Sequence, residues 1–239
     1  MKRTSHRTTT LSIYDLIADS YTAQCIEENK AEIRRIWKFY TRAPLISNSS
    51  FLDIGAGTGQ ASRYLRRFNM KGDAIEPSSK MAEKIKPLRY KSIILTPIQN
   101  FRTVKKYDFA VAAFDVFNHL SAADRRVAFT KIASSLKKNG KFLFDIIVEG
   151  KSSTANSAKT NAIQSPIQFA WQPIPNKFIE VTSLTEGGTL KQILHPINKS
   201  RLISELLASG FQLSGTHAFS IAHKETRFKK LCVIAKLLK

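Results

Sequence analysis

The chain has 239 residues, the length of one large domain or of a domain with a small inserted cap, which leaves no room for a multidomain assembly. With 43% apolar and 23% charged residues it is an ordinary globular composition, and no apolar run approaches the roughly 20 residues of a membrane-spanning helix. The 38 Lys and Arg residues against 18 Asp and Glu residues give a net charge of +20, which favours polyanions, anionic surfaces or acidic small molecules as partners.

The N-terminal residues and the two cysteines bear on localisation. The opening MKRTSHRTTT is basic and free of acids, as a transit peptide can be, but helical periodicity follows at once and no secretory apolar segment is present. Cys25 and Cys232 stand far apart and match no metal-ligand spacing, which predicts neither a metal site nor a disulfide framework. We therefore expect a frayed N-terminal tail and a cytoplasmic protein.

Strands and helices alternate through the first 150 residues. Apolar residues at helical spacing predict a helix over 21–40. Short apolar strands follow at FLDIG, DAIEP, SIIL, YDFAVAAF and KFLFDIIV, with helices between them that Ser78 and Ser121 should cap and that Gly72 and Gly140 should close. This order predicts an α/β fold with a doubly wound, mostly parallel sheet and right-handed crossovers.

The pattern changes after Gly150. Residues 151–166 are small and polar and predict a lid loop, and KFIEVTSL and TLKQILHPI have the alternation and turn chemistry of an antiparallel hairpin. We expect residues 151–196 to form a cap inserted after the fifth strand of a single domain, 1–239. A helix, SRLISELLAS, and two strands, FQLSGTHAF and FKKLCVIAKL, should complete a seven-stranded sheet with an antiparallel last strand.

The segment DIGAGTG is the most informative stretch of the sequence. Asp53 ends a buried strand, and glycines at 55, 57 and 59 allow a tight turn in which a ligand contacts bare backbone. A dinucleotide-binding loop requires a small residue at position 60, and a P-loop requires Gly-Lys-Ser/Thr. Gln60 and Ala61 stand there instead, which disfavours phosphate binding.

FLDIGAGTGQ resembles motif I of the class I S-adenosylmethionine-dependent methyltransferases. DAIEPSSKM resembles the second-strand motif of that family, YDFAVAAFDVFNHL and LKKNGKFLFD resemble its fourth- and fifth-strand motifs, and YDLIADSY at Tyr14 resembles the N-terminal segment that closes over the methionine end. Together these segments cover about 135 residues in the family's order and spacing. The resemblance implies a Rossmann-like fold and S-adenosyl-L-methionine as the cofactor.

The resemblance also implies a cofactor site. The resemblance places Asp53 near the amino acid end of the cofactor. It places the carboxylate of Glu76, which is followed by Pro77, at the ribose hydroxyls. Ile75, Ile98 and Phe114 fit an apolar slot for the adenine. Pro97 occupies the position where the family often has an acid for the adenine amino group, so Gln99 or Asn100 is expected to replace it. The remaining expected cofactor contacts are the backbone of Gly55, Ala56, Gly57 and Gly59. Tyr14 and Tyr21 are expected to close the entrance of the site, although a purely structural role for these two tyrosines is equally open.

Methyl transfer is an in-line displacement in which position and exclusion of water matter most, with a base only where the acceptor must lose a proton. Asn118 and His119 follow the fourth strand and are the candidate catalytic residues, although a loop histidine that only packs is an open alternative. From the cap, Trp171 and His195 are candidate substrate contacts, each with a structural alternative. FDVFNHL lacks the Asn/Asp-Pro-Pro-Tyr/Phe motif of nucleic-acid amino methyltransferases and resembles the small-molecule N- and O-methyltransferase branches, such as the amino-sugar and glycine types.

The charge leaves other functions open. Between Ala61 and Lys106 twelve Lys and Arg residues stand against three acids, which predicts a basic face that either binds RNA phosphates or is simply solvated. We expect an enzyme that methylates nitrogen or oxygen of a small molecule. The alternatives are a methyltransferase for RNA or another macromolecule, docked through the basic face, and a non-catalytic binding protein with the same fold.

Overall fold

In the computed structural model of this protein, the described residues are 10–43, 48–65, 69–86, 90–154, 167–174, 177–184, 189–223 and 226–238. Side chains are described within these ranges except at 10–12, 23–28, 150–154, 167–192, 222–223 and 226–227. The helices are α1 (Thr10–Glu28), α2 (Lys30–Tyr40), α3 (Gln60–Leu65), α4 (Ser79–Glu83), α5 (Ala122–Ser135) and α6 (Lys199–Ala208). Among the described helices, none is long and apolar enough to cross a membrane.

The centre of the fold is a seven-stranded sheet in the order β3-β2-β1-β4-β5-β10-β9. Its strands are β1 (Ser50–Ile54), β2 (Lys71–Ile75), β3 (Ser92–Ile94), β4 (Tyr107–Ala112), β5 (Leu136–Thr154), β9 (Phe211–His223) and β10 (Thr226–Leu237). β1 to β5 are parallel, whereas β10 is antiparallel to both of its neighbours. The predicted doubly wound sheet with an antiparallel last strand is confirmed.

Helices cover both faces of this sheet. On one face, Ile33 and Trp37 of α2 pack with Phe51 and Phe109 of the sheet, together with residues of α3. On the other face, residues of α5 and α6, among them Phe129, join a second apolar cluster with residues of β5. The central strands are therefore buried on both sides, which is why they read as continuous apolar runs in the sequence.

A buried ion pair joins the two helices of the second face. The Arg125 guanidinium of α5 donates two hydrogen bonds to the Glu205 carboxylate of α6, at 2.7 and 3.0 Å. Both side chains are at most 6% exposed. Because each partner neutralises the other in a dry environment, the pair fixes how α6 lies against α5.

Two helix boundaries differ from the sequence prediction, and two caps agree with it. The helix predicted over 21–40 is divided at Asn29, since α1 packs on Met81 of α4 whereas α2 packs on the sheet. The Ser78 and Ser121 side chains accept the capping hydrogen bonds of α4 and α5. The helix that Gly140 was expected to close ends at Ser135.

Gly140 is needed for space and not for helix termination. It lies within the range of β5, directly after Asn139, which takes the left-handed conformation with φ of 64°. A Cβ at Gly140 would stand 2.8 Å from the Lys137 carbonyl oxygen, closer than side chains come. The prediction that Gly140 closes the helix is therefore wrong, because the helix ends at Ser135 and Gly140 lies in a strand.

The segment predicted to form a cap contains a second sheet that is larger than a hairpin. The predicted hairpin is present as β7 (Lys177–Leu184) and β8 (Thr189–Leu194), and β6 (Ile167–Ile174) pairs antiparallel with β7 to make a three-stranded sheet. Pro173 lies within β6, which is an edge strand, the position in a sheet where a residue without an N–H is tolerated.

The first four residues of the predicted lid loop are in a strand. Residues 151–154 continue β5, because the long β10 strand supplies a partner as far as Thr154, which pairs with Thr226. Residues 155–166, which make up the rest of the predicted loop, lie outside the described residues.

Candidate active site

A cavity of about 340 Å³ opens at the carboxyl ends of β1, β2 and β4. This is where open parallel sheets bind their ligands. Its lining includes most of the residues proposed from the sequence: Tyr14, Tyr21, Asp53, Gly55, Ala56, Gly57, Ile75, Glu76, Pro77, Pro97, Ile98, Gln99, Phe114 and His119.

The glycine loop after β1 forms the floor of this cavity. Gly55, Gly57 and Gly59 have φ of 64°, 56° and 82°, the left-handed region in which a side chain is strained. A Cβ at Gly55 would stand 2.9 Å from a methyl group of Val116. The segment after β4, which contains Val116, therefore packs directly against this glycine. Gly59 is buried outside the cavity lining and donates its N–H to Ala56, so its part in the site is to form the turn.

The Glu76 carboxylate stands where β2 ends and faces the glycine loop. One oxygen accepts the Gly57 N–H at 2.7 Å, and the other accepts the Ser78 N–H at 2.9 Å. Burial raises the pKa of Glu76, and these two hydrogen bonds oppose that rise. The two amides thus hold a buried acceptor group in a fixed orientation beside the bare backbone of the loop.

Asp53 supplies a second buried carboxylate at the end of β1. The side chain is 2% exposed, and one oxygen accepts a hydrogen bond from the Tyr90 hydroxyl. Burial raises the pKa of Asp53 to about 7, the hydrogen bond from Tyr90 opposes this, and the nearby charge of Glu76 adds to it. A cationic ligand group beside this carboxylate would favour its ionised form.

The segment after β3 contributes an unsatisfied acceptor. A short 3₁₀ helix over Ile98–Asn100 buries Ile98 and directs Gln99 to the cavity, whereas Asn100 is exposed and outside the lining. The Gln99 Oε1 atom is buried and accepts no hydrogen bond from any described residue. Of the two amides proposed as adenine acceptors, Gln99 is the one that the structure brings to the cavity.

The wall after β4 contains two consecutive left-handed residues. Phe114 and Asp115 have φ of 70° and 59°, a conformation that costs about 1–2 kcal/mol for each residue that is not glycine. The Asp145 carboxylate of β5 accepts the N–H groups of both, at 2.9 and 3.2 Å. Sequence reasoning did not single out Asp145, whose contact with this turn spans about 30 residues of sequence.

His119 lines the cavity and pairs with Tyr14 of the N-terminal helix α1. Its Nε2 atom is 3.1 Å from the Tyr14 hydroxyl, and the two rings meet edge to face. Its Nδ1 atom is buried and has no hydrogen-bond partner among the described residues. Burial, helped by the nearby His195, lowers the pKa of His119 to about 4, so the imidazole is neutral at physiological pH.

Asn118 is placed differently from its neighbour. It is fully buried and outside the cavity lining, and its side-chain amide donates to the carbonyl oxygens of Ile147 and His195, at 2.9 and 2.8 Å. Its Oδ1 atom accepts the Ile147 N–H. Because these bonds join β5 to the end of the cap, Asn118 acts as a structural link, and its proposed catalytic role is not supported by its position.

The candidate contacts from the cap are less direct. His195 follows β8 and donates its backbone N–H to the Asn118 carbonyl oxygen, but it does not line the cavity. Trp171 lies in β6, and its side chain is outside the described part of the structure.

Comparison with known proteins decides the family. The sequence model of a family described as a methyltransferase domain matches residues 21–198, about three quarters of the chain. This chain is a methyltransferase-family protein. A search of curated proteins finds no match to it.

Solved structures agree with this assignment at the level of the fold. A methyltransferase from Clostridium acetobutylicum described as S-adenosylmethionine-dependent matches with a TM-score of 0.67 at 15% identity, over 94% of this chain and 99% of the other. The CcbJ methyltransferase from Streptomyces caelestis matches with a TM-score of 0.64 at 15% identity, over 85% and 89%. The glycopeptide N-methyltransferase MtfA, solved with S-adenosyl-L-methionine, matches with a TM-score of 0.57 at 17% identity, over 86% and 93%.

Several lining residues of this methyltransferase were missed from the sequence. They come from the glycine loop, the two flanking strands and the segments that follow: Ile54, Thr58, Gln60, Ala61, Ser78, Met81, Leu95, Thr96, Ala113, Val116 and Leu120. Most stand within a few positions of a predicted residue, so sequence proximity was an available signal. No group of His, Cys, Asp and Glu residues suited to a metal ion occurs among the described side chains.

Proposed function

We propose that this protein transfers the methyl group of S-adenosyl-L-methionine to a nitrogen or oxygen atom of a small molecule. The observation that carries the proposal is a pair of buried carboxylates, Asp53 and Glu76, at the ends of adjacent parallel strands with bare glycine backbone between them. Glycopeptide N-methyltransferase MtfA, a structural neighbour, has been solved with S-adenosyl-L-methionine, with S-adenosyl-L-homocysteine and with sinefungin, which supports the choice of cofactor.

The cavity chemistry fits this cofactor part by part. Asp53 suits the ammonium of the amino acid end, and Glu76, with lone pairs left beside its two amide contacts, suits the ribose hydroxyls. The orphaned Gln99 Oε1 suits the adenine amino group, and apolar walls from Ile98 and Phe114 suit the base. When bound, the cofactor supplies an electrophilic methyl group on a sulfonium.

In the proposed mechanism the protein positions the two reactants and excludes water. The Tyr14 hydroxyl fixes the His119 ring through Nε2, which leaves Nδ1 to hydrogen-bond an acceptor in the cavity. With a pKa of about 4, His119 is too weak a base to remove a proton from an alcohol. Nitrogen acceptors, which attack through an existing lone pair, therefore fit the site better than alkyl hydroxyl acceptors.

We propose that the cap of residues 151–196 covers the acceptor. β6 and β8 both lie beside α1, which contributes Tyr14 and Tyr21 to the cavity, and β8 also lies beside the 3₁₀ helix that ends at His119. We also propose a cytoplasmic location, which is supported by two cysteines whose spacing fits no disulfide framework.

Cofactor binding is tested by calorimetry with S-adenosylhomocysteine. Wild type should bind it, and Glu76→Ala should lose about 10–100-fold in affinity, because a charge-assisted hydrogen bond contributes about 1.5–3 kcal/mol. The matched control is Glu83→Gln, an exposed carboxylate on α4 outside the cavity. Equal binding by wild type and Glu76→Ala would refute the ribose assignment.

The acceptor is sought by incubating a metabolite extract with methyl-labelled cofactor. Labelled product should form with wild type, fall strongly with His119→Gln and persist with His217→Gln, a histidine that stacks on Phe39 away from the cavity. Cofactor binding without transfer to any extract would instead favour the non-catalytic alternative.

One observation favours a second candidate function, the methylation of RNA. The charged side chains that α2 exposes are all basic (Lys30, Arg34, Arg35 and Lys38), since its one acid, Glu32, turns inward to Lys230. Arg35 also lies over the ring of Phe219, 5.7 Å from its centre. Binding of a single-stranded RNA whose affinity falls steeply with salt, and falls further when α2 is neutralised, would favour this candidate.

A further inference from the structure

A buried lysine with three carboxylates lies behind the cavity wall. Lys230 of β10 is 1% exposed, and its ammonium donates to Glu32 of α2. The same nitrogen stands 2.9 Å from Asp115 Oδ2 and 3.0 Å from Asp145 Oδ2. None of these four side chains is among the lining of the cavity, so they do not contact a ligand there.

The charges of this cluster do not balance. One cation faces three acids, and the Asp115 Oδ1 atom is buried without a hydrogen-bond partner among the described residues. Burial raises the pKa of Asp115 to about 7, an effect that Asp145 and Glu32 increase and Lys230 opposes. Burial lowers the pKa of Lys230, but the facing carboxylates outweigh it and hold that pKa well above its usual range. Lys230 is therefore the cation that all three carboxyl groups of this cluster face.

Asp145 connects the cluster to the cavity. While its Oδ2 atom faces Lys230, its two oxygens also accept the N–H groups of Phe114 and Asp115, and the Tyr40 hydroxyl donates to Oδ1. Phe114 and Asp115 are the only two consecutive residues, among those described, that have left-handed φ without being glycine. A carboxylate, with acceptors on both oxygens, can hold two neighbouring amides, whereas a protonated acid or an amide presents one fewer acceptor.

The left-handed pair sets the position of the wall that follows it. Phe114 lines the cavity, and the 3₁₀ helix Val116–His119 begins directly after Asp115. Val116 contacts the glycine loop at Gly55, as the 2.9 Å approach of its methyl group to a Cβ built there indicates. Asp145 thus holds the turn that presents Phe114 to the cavity and precedes the 3₁₀ helix ending at His119.

We propose that Lys230 is a positioning residue for cofactor binding, because its ammonium orients the Asp145 carboxylate that holds the left-handed Phe114–Asp115 turn against the cavity. This inference rests on the proposed function, since it assigns a support for the same site. It predicts that loss of the ammonium loosens this turn in the free protein and weakens the cofactor contact without removing any group from the cavity.

The test compares Lys230→Met with Lys229→Met in the full-length protein. Methionine keeps the length and apolar stem of the side chain without its charge, and Lys229 is the exposed neighbour on the same strand. Two measurements are made on folded protein at pH 8: hydrogen exchange of the Phe114 and Asp115 amides relative to the amides of β4, and affinity for S-adenosylhomocysteine by calorimetry.

Lys230→Met should exchange the two amides at least tenfold faster and bind S-adenosylhomocysteine at least tenfold more weakly, whereas Lys229→Met should match wild type. A folded Lys230→Met that retains wild-type exchange at these amides, or that binds within twofold of wild type, would overturn the inference. A purely stabilising ion cluster gives that second result, because it lowers the unfolding temperature without changing the folded site.

If Lys230→Met does not fold, Asp145→Asn takes its place, since it keeps the volume but removes one acceptor from the turn. The same faster exchange and weaker binding are expected, and unchanged values for both would overturn the inference. Failure of wild type itself to bind S-adenosylhomocysteine would refute the proposed function, while the exchange measurement would still decide the role of Lys230 in holding the turn.

Discussion

Replacement of Asp53 by asparagine should stabilise the free protein and weaken cofactor binding. Asparagine has nearly the same shape and retains an acceptor for the Tyr90 hydroxyl, so the change removes mainly a buried charge. The two effects have opposite signs because the ionised carboxylate is costly in the empty site and useful only beside a cation.

The size of the first effect follows from the pKa. In the folded protein the pKa of Asp53 is about 7, against an ordinary value of 3.8, so the folded state holds the proton more tightly than the unfolded state. The contribution of this group to stability is complete below the ordinary pKa and is lost as the pH rises through about 7. At 1.36 kcal/mol per pKa unit, ionisation costs the folded state up to about 4 kcal/mol at pH 8 and about 2 kcal/mol at pH 5.

The assay is urea unfolding of wild type and Asp53→Asn at several pH values, with calorimetry of S-adenosylhomocysteine. The variant should be the more stable protein, by a margin that grows from pH 5 to pH 8, and its affinity should fall about 10–100-fold, the value of one charge-assisted hydrogen bond. Asp124→Asn, on an exposed turn of α5, serves as the control. A variant less stable than wild type at pH 8, or one with unchanged affinity, would refute this reasoning.

Three further predictions concern packing and protonation. Glu205→Gln should lower the free energy of unfolding by about 3–5 kcal/mol, because it leaves the Arg125 charge buried without its partner; a loss below 1 kcal/mol in chemical denaturation would contradict this. Gly72→Ala should lower the melting temperature measurably, since a Cβ there would stand 2.6 Å from the buried Phe51 ring, and an unchanged melting curve would show that the ring moves freely. The pKa of His119 is lowered to about 4, so wild type should lose stability as the pH falls from about 6.5 towards 4, and His119→Gln should lose less over the same range in urea unfolding.

The sequence by itself determined the sheet and the position of the cavity. The alternation of apolar strands with capped helices predicts the parallel sheet, because that periodicity depends only on which faces of each element are buried. Asp53 lies near the end of β1, the glycines at 55 and 57 follow that strand, and Glu76 follows β2. Local turn chemistry therefore places them at one edge of the sheet, and the structure brings them to one cavity.

The third cap strand was a local signal that was not used. β6 has an apolar residue at every second position from Ile167, the period of a strand, but no strand was predicted there. Its edge position, which makes Pro173 acceptable, is a property of the assembled sheet.

Only the tertiary structure decided which polar groups support the site. Tyr90 reaches Asp53 across 37 positions, Asp145 holds a turn about 30 positions away, and Lys230 meets Glu32 across 198. Each of these side chains has its effect because burial removes water and leaves one particular partner, and the identity of that partner depends on how distant segments pack. Local periodicity and turn chemistry carry no information about that choice, so the sequence specified the cavity while the fold specified what holds its walls in place.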